Sequence, residues 1–128
     1  VVLAVVRPEK GGHVLVGRFG LGDLDPAAIR AIRHPLDGDD PLAAAMRECR
    51  DMTVDGKAAG LPARFSGLVR DRRACFLPVC LAGKAIALIY LDRQESRPAL
   101  TAAEMKSVRL FRDLAEMALQ KMAFSRPF

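Results

Sequence analysis

Tryptophan and asparagine are missing altogether from these 128 residues, and tyrosine occurs once. With only six phenylalanines besides, the chain offers few aromatic platforms on which bases could stack, which counts against a single-stranded nucleic acid as partner. Two histidines and three cysteines fall short of the four converging ligands that a closed zinc site requires. Cys75 and Cys80 also stand five apart on one expected strand, so they point to opposite faces. An odd number of cysteines (Cys49 is the third) in a chain with no export signal reads as small buried hydrophobes in a reducing, cytoplasmic setting. No apolar run approaches the roughly twenty residues needed to cross a bilayer, and the opening VVLAVV is too short for that or for a signal peptide. Internal repeats and low-complexity tracts are lacking as well.

What is present is globular in character: 51% hydrophobic and 27% charged residues. The core must be built from Val, Leu, Ile, Ala and Met. The length suits one domain, residues 1–128. The first residue is not Met, and the chain opens inside a strand-like run, so it is expected to be a fragment of a longer protein. The net charge of +5 comes from fifteen arginines and five lysines against fifteen acids. Most arginines are scattered and stand beside Asp or Glu, as on a solvated surface. The one tight cluster, Arg70, Arg72 and Arg73, could meet a phosphate or an acidic partner, but a charged loop between elements is the plainer reading.

Val1 to Val6 is a continuous β-branched run that suits a buried strand. Turn residues Pro8 to Gly12 lead into a second strand, His13 to Gly20, and the pair forms an antiparallel hairpin. Asp25-Pro26 and Asp40-Pro41 each start a short helix, with Asp as cap and Pro in the first turn. Leu42, Ala45, Met46 and Cys49 give the second of these an apolar face. Ile32 to Leu36 and Met52 to Val54 are brief strands, and Leu61-Pro62 starts a third short helix reaching about Val69. Ala74 to Leu81 and Lys84 to Leu91 are two strands joined at Ala82-Gly83. Thr101 and Glu104 make a capping box for a long helix. That helix is apolar over half its circumference, with Arg109, Arg112, Asp113 and Glu116 on a charged face. Val108, Phe111, Ala115, Ala118 and Met122 recur at coiled-coil spacing, which suggests a partner helix. The fold class expected is α+β: a single antiparallel sheet of five or six strands, with the long C-terminal helix on one face and short helices on the other.

Phe76-Leu-Pro-Val79, Gly83, Ile86-Ala87-Leu88-Ile89 and the capped helix 101–122 together resemble the last third of a GAF domain, a sensory module of signalling proteins. Ala87 stands where that family usually has Gly. The likeness is closest to the GAF-like region that follows the HDOD domain in bacterial signalling proteins. Val16 to Gly22, Leu61-Pro-Ala63, Ala87 to Asp92 and Arg109 to Leu114 are similar to its landmarks. The resemblance runs from Val1 to Ala123. It implies an N-terminal helix, absent here, and a homodimer built on terminal helices such as 101–122. It also implies a cavity under the short middle helices, and an output or HDOD-type domain in the same chain.

The family's cyclic-nucleotide signature begins with Asn, which this chain lacks. No Cys-His pair occurs for a bilin, and His34 is the single positional candidate for a haem ligand, so no cofactor is specified. Gly17, Gly20 and Gly22 lack the dinucleotide-binding order and read as bulge or turn glycines. Ser66, Ser96 and Ser107 have no neighbouring base, and Asp37, Asp39 and Asp40 look like turn and cap residues, so no catalytic set emerges. The expectation is a non-catalytic sensory domain with a pocket between the sheet and helices 41–50 and 62–69. Phe19, Arg33, Met46, Arg47, Phe65, Phe76 and Tyr90 are its candidate lining. The arginines would pair an anionic or nucleotide-like ligand and the apolar residues would hold its body. The alternative is a ligand-free dimerisation module. A nucleic-acid binder acting through its arginines is the least supported.

Overall fold

The computed structural model describes residues 1–20, 26–55, 73–93 and 101–125. Six strands form one sheet: β1 (Val2–Glu9), β2 (Gly12–Gly20), β3 (Arg33–Pro35), β4 (Met52–Asp55), β5 (Arg73–Leu81) and β6 (Lys84–Arg93). Among the described residues the helices are α1 (Pro26–Arg30), α2 (Pro41–Arg47) and the long α3 (Ala102–Ser125). The strand order is β3-β2-β1-β6-β5-β4, and every neighbouring pair is antiparallel. The first and last strands therefore meet at the centre, Val2 opposite Tyr90 and Val5 opposite Ala87.

The turns explain the two hairpins. Gly11 has φ 93° in the β1–β2 connection. Ala82 (φ 52°) and Gly83 (φ 77°) turn β5 into β6 with two successive left-handed residues, the primed turn whose twist matches the strands. Glycine takes this conformation without strain; for Ala82 it costs on the order of 1 kcal/mol.

Period-2 alternation sends the two sides of β5 to different helices. Ala74 and Phe76 join Val2, Ala4, Leu15, Leu88 and Tyr90 in a core closed by Ile29, Ile32, Leu36, Leu42 and Met46 from α1, α2 and their flanks. Phe76 and Tyr90 pack edge to face at its centre, with ring centroids 5.2 Å apart. On the other side Cys75 is buried, its Sγ 3.6 Å from Met105 Sδ of α3.

Asp40 caps α2 as expected, its Oδ2 accepting from the Ala43 amide at 3.0 Å. His34 Nε2 lies 2.9 Å from the same oxygen. Burial pushes the Asp40 carboxyl up, but the Ala43 amide and His34 outweigh it and hold it below the ordinary range. The capping box of α3 is reciprocal: Thr101 N–H donates to Glu104 Oε1 at 3.2 Å and Glu104 N–H to Thr101 Oγ1 at 3.1 Å. The third short helix expected from Leu61 lies outside the described residues.

One expectation needs correction. Cys49 and Cys80 are joined in a disulfide, and Cys75 alone stays a free thiol. Spacing in the sequence could not show that the end of α2 comes back beside β5, with the two Cα atoms 6.3 Å apart. The charged face of α3 is divided between the sheet and solvent. Arg112 and Glu116 turn toward β5, while Leu110, Phe111, Leu114, Met117 and Met122 are exposed. No described helix is long and apolar enough to cross a membrane.

Candidate functional site: a cavity at the hairpin end of the sheet

A cavity of about 460 Å³ opens where the β1–β2 and β5–β6 turns lie side by side. Val6 and Pro8 come from β1, His13 from β2, and Lys84, Ala85 and Ile86 from β6, with Gly83 in the turn before it. Met46 and Arg47 at the end of α2 form the far wall, and Leu36 and Asp37 line the side. The size suits a small organic ligand, and the walls are chiefly apolar with a few polar groups at the rim.

Arg47 is a structural clasp. Its Nη1 donates to the carbonyls of Leu36 and Gly38, each at 2.7 Å, and so ties α2 to the segment after β3. Asp37 Oδ2 accepts from the His13 amide at 3.2 Å and fixes that segment to β2. A Cβ at Gly12 would overlap the Asp37 carboxylate, so the close approach requires glycine there. The carbonyl-bound guanidinium, exposed Lys84 and the His13 ring put donors around the opening. An anionic group at the mouth with an apolar body below would meet complementary surfaces.

Seven residues were candidates for the lining. Met46 and Arg47 wall this cavity. Phe76 and Tyr90 lie in the packed core with their rings against each other. Phe19 is exposed on β2, and Arg33 is exposed on β3 in an ion pair with Glu9. Phe65 lies outside the described residues. Sequence reasoning passed over Pro8, His13, Asp37 and Lys84 because they sit in or beside turns, where hydrophobic periodicity carries no signal. Topology brings them together: β1 and β6 pair antiparallel in the middle of the sheet, so the β1–β2 and β5–β6 turns come to the same end.

Four contacts tie the segment after α2 and strand β5, both next to the cavity wall, to the opposite helix. Just beyond α2, Asp51 receives Arg112 of α3 in a two-pronged pair, Nη1 to Oδ1 at 2.7 Å and Nη2 to Oδ2 at 3.3 Å. Arg109 Nε reaches Asp51 Oδ2 at 3.2 Å. Arg112 Nη1 also donates to the Pro78 carbonyl of β5 at 3.0 Å, and Asp51 holds its guanidinium firmly protonated. Glu116 Oε2 accepts from the Cys80 amide at 2.8 Å.

No family model matches this chain, and no curated protein does. Solved structures do. A GAF domain/HD domain protein from Geobacter sulfurreducens superposes with a TM-score of 0.74 at 18% identity, covering 98% of this chain and 84% of that one. Residues 122 to 287 of a methyl-accepting chemotaxis protein superpose with a TM-score of 0.64, also at 18% identity, covering 99% and 82%. The chain therefore has a GAF-like fold: one curled antiparallel sheet with a long C-terminal helix on one face and short helices on the other.

Proposed function

We propose that the chain is a non-catalytic sensory or regulatory domain of a signal-transduction protein, working in the cytoplasm with an output or HDOD-type domain attached. Its cavity at the hairpin end takes a small, anionic or nucleotide-like molecule. The single observation that carries this reading is the cavity itself, walled by α2, whose following residues grip α3 through Asp51. A ligand that pulls on α2 would bias the seat of α3 and so whatever α3 is joined to. The names of the two similar structures, a GAF/HD protein and a chemotaxis protein, support a signalling role without specifying a ligand. Met46 and Arg47 contact the ligand in this reading, with Lys84 meeting its charge. Thermal-shift screening of the chain against nucleotides and organic acids tests it. The expected result is a stabilising hit that is weakened by Lys84→Glu and by Ala85→Phe, which fills the cavity. No hit across a broad panel would count against it.

A second reading, dimerisation through α3, is favoured by the exposed stripe in which Phe111 is 69% accessible. A second copy would cover it at the spacing already noted. Sedimentation of the chain across a concentration range is expected to show a dimer that Phe111→Glu dissociates; a monomer at the highest concentration would remove this reading.

A further inference from the structure

We infer that the Cys49–Cys80 bond is a redox-operated clamp on the cavity, and this rests on the regulatory reading above. Cys49 ends α2 in an unusual way. The Arg50 amide bonds the Ala45 carbonyl at 2.9 Å and the Cys49 amide bonds Met46 at 3.2 Å, the double closure in which the residue at Cys49 turns left-handed and is normally glycine. Cys49 adopts that conformation with φ 52° although it has a side chain. Its sulfur is bonded to Cys80 and lies 3.5 Å from the carbonyl of Gly83, a residue of the cavity wall.

Cys80 stands at a bulge in β5, directly opposite Ala85 of the cavity wall. Bulges re-aim side chains, and here the bulge sits where β5 reaches for α2. Cys80 also donates its amide to Glu116 of α3. The bond thus closes a short circuit of cavity wall, β5 and α3. Neither cysteine is fully buried, so a small thiol can reach the bond. In a cytoplasmic protein such a bond is more often a sensor than a staple.

The chemistry needs an external dithiol or two molecules of a monothiol. A thiolate attacks one sulfur, the Cys49–Cys80 bond breaks and a mixed disulfide forms. The second external thiol then displaces the cysteine, leaving two protein thiols and the oxidised reductant, a transfer of two electrons and two protons. A disulfide oxidant runs the same steps backwards. Opening frees Cys49 to leave its strained conformation and lets the end of α2 move away from β5.

The test uses the whole chain without ligand, so it stands or fails separately from ligand screening. Thiol titration of denatured protein is expected to find one thiol after oxidation and three after incubation in reduced glutathione. On reduction, amide exchange should rise roughly tenfold or more in residues 46–51 and 80–86 while the β1–β2 hairpin is unchanged. Cys49→Ser/Cys80→Ser should behave as the reduced form under both conditions, and Cys75→Ser should respond like the parent. A bond that survives excess reduced glutathione in the native protein would overturn the proposal. So would an exchange increase spread evenly over the sheet, because the bond would then be a general staple and not a local clamp.

Discussion

Arg112 is the residue whose removal should tell most about how the long helix is held. Its side chain is 13% exposed and Asp51 is 22% exposed, so the pair is partly withdrawn from water. Two of its contacts are short and strong, to Asp51 Oδ1 and to Asp113 Oδ1, each at 2.7 Å. Arg112→Met keeps most of the aliphatic stem and deletes the fork. An exposed ion pair would lose about 0–1 kcal/mol and a fully buried one about 3–5 kcal/mol. Asp51 retains Arg109 and some water, so the expected loss lies between, at about 2–3 kcal/mol. For 128 residues that corresponds to a drop in Tm of about 7–11 °C.

Urea unfolding at constant slope measures the loss, and a cycle with Asp51→Asn isolates the pair. The double variant should be about 1–2 kcal/mol more stable than the sum of the single losses implies, since each single change strands the other charge. A loss below about 0.5 kcal/mol for Arg112→Met, or additive single effects, would refute the view that this pair seats α3.

Three other substitutions probe the local rules. Because Asp40 is held below its ordinary value in the folded state, its contribution is present above the unfolded carboxyl pKa of about 4 and is lost as pH falls through and below that point. Asp40→Asn should therefore narrow the stability gap between pH 6 and pH 3 by about 1 kcal/mol relative to the parent in urea titrations. Gly17→Ala would drive a methyl into the Ile29 carbonyl and should cost roughly 2–3 kcal/mol by the same assay, with no measurable loss contradicting the packing of α1 on β2. Ala82→Gly relieves a left-handed alanine in an open turn and should stabilise by about 0.5–1 kcal/mol, seen as a higher urea midpoint.

Local signals carried most of the elements. Asp40-Pro41 announced α2 because a carboxylate acceptor and a residue without an amide proton answer the unpaired donors of a helix start. Thr101 and Glu104 did the same for α3. Strands were legible wherever β-branched runs met turn residues, as in Val2 to Val6 and Ile86 to Leu91. Strand order was less so. The pairing of β1 with β6 joins residues more than eighty apart, and no pattern within either strand specifies it. Of the cavity lining, only Met46 and Arg47 were legible, for a related reason. Met46 and Arg47 share a helix end with clear capping logic, whereas Phe76 and Tyr90 are large residues on an inner face, and alternation does not distinguish a filled core from a cavity wall.

The orientation of α3 is the most instructive departure. By composition alone, its richest apolar side should lie on the sheet, yet Arg112 and Glu116 face β5 while Phe111 and Leu114 face outward. A seat made wholly of hydrophobic contact would be deep and indifferent to small movements of α2. Here the Asp51 pair, two positions beyond Cys49, adds on the order of 2–3 kcal/mol to the other contacts that α3 makes with β5. Free energies of that size are what a ligand with roughly a 30- to 150-fold preference for one arrangement can supply. In the regulatory reading proposed above, binding at the cavity would act on α3 through that pair, and the apolar stripe that α3 shows to solvent would carry the change to a second copy.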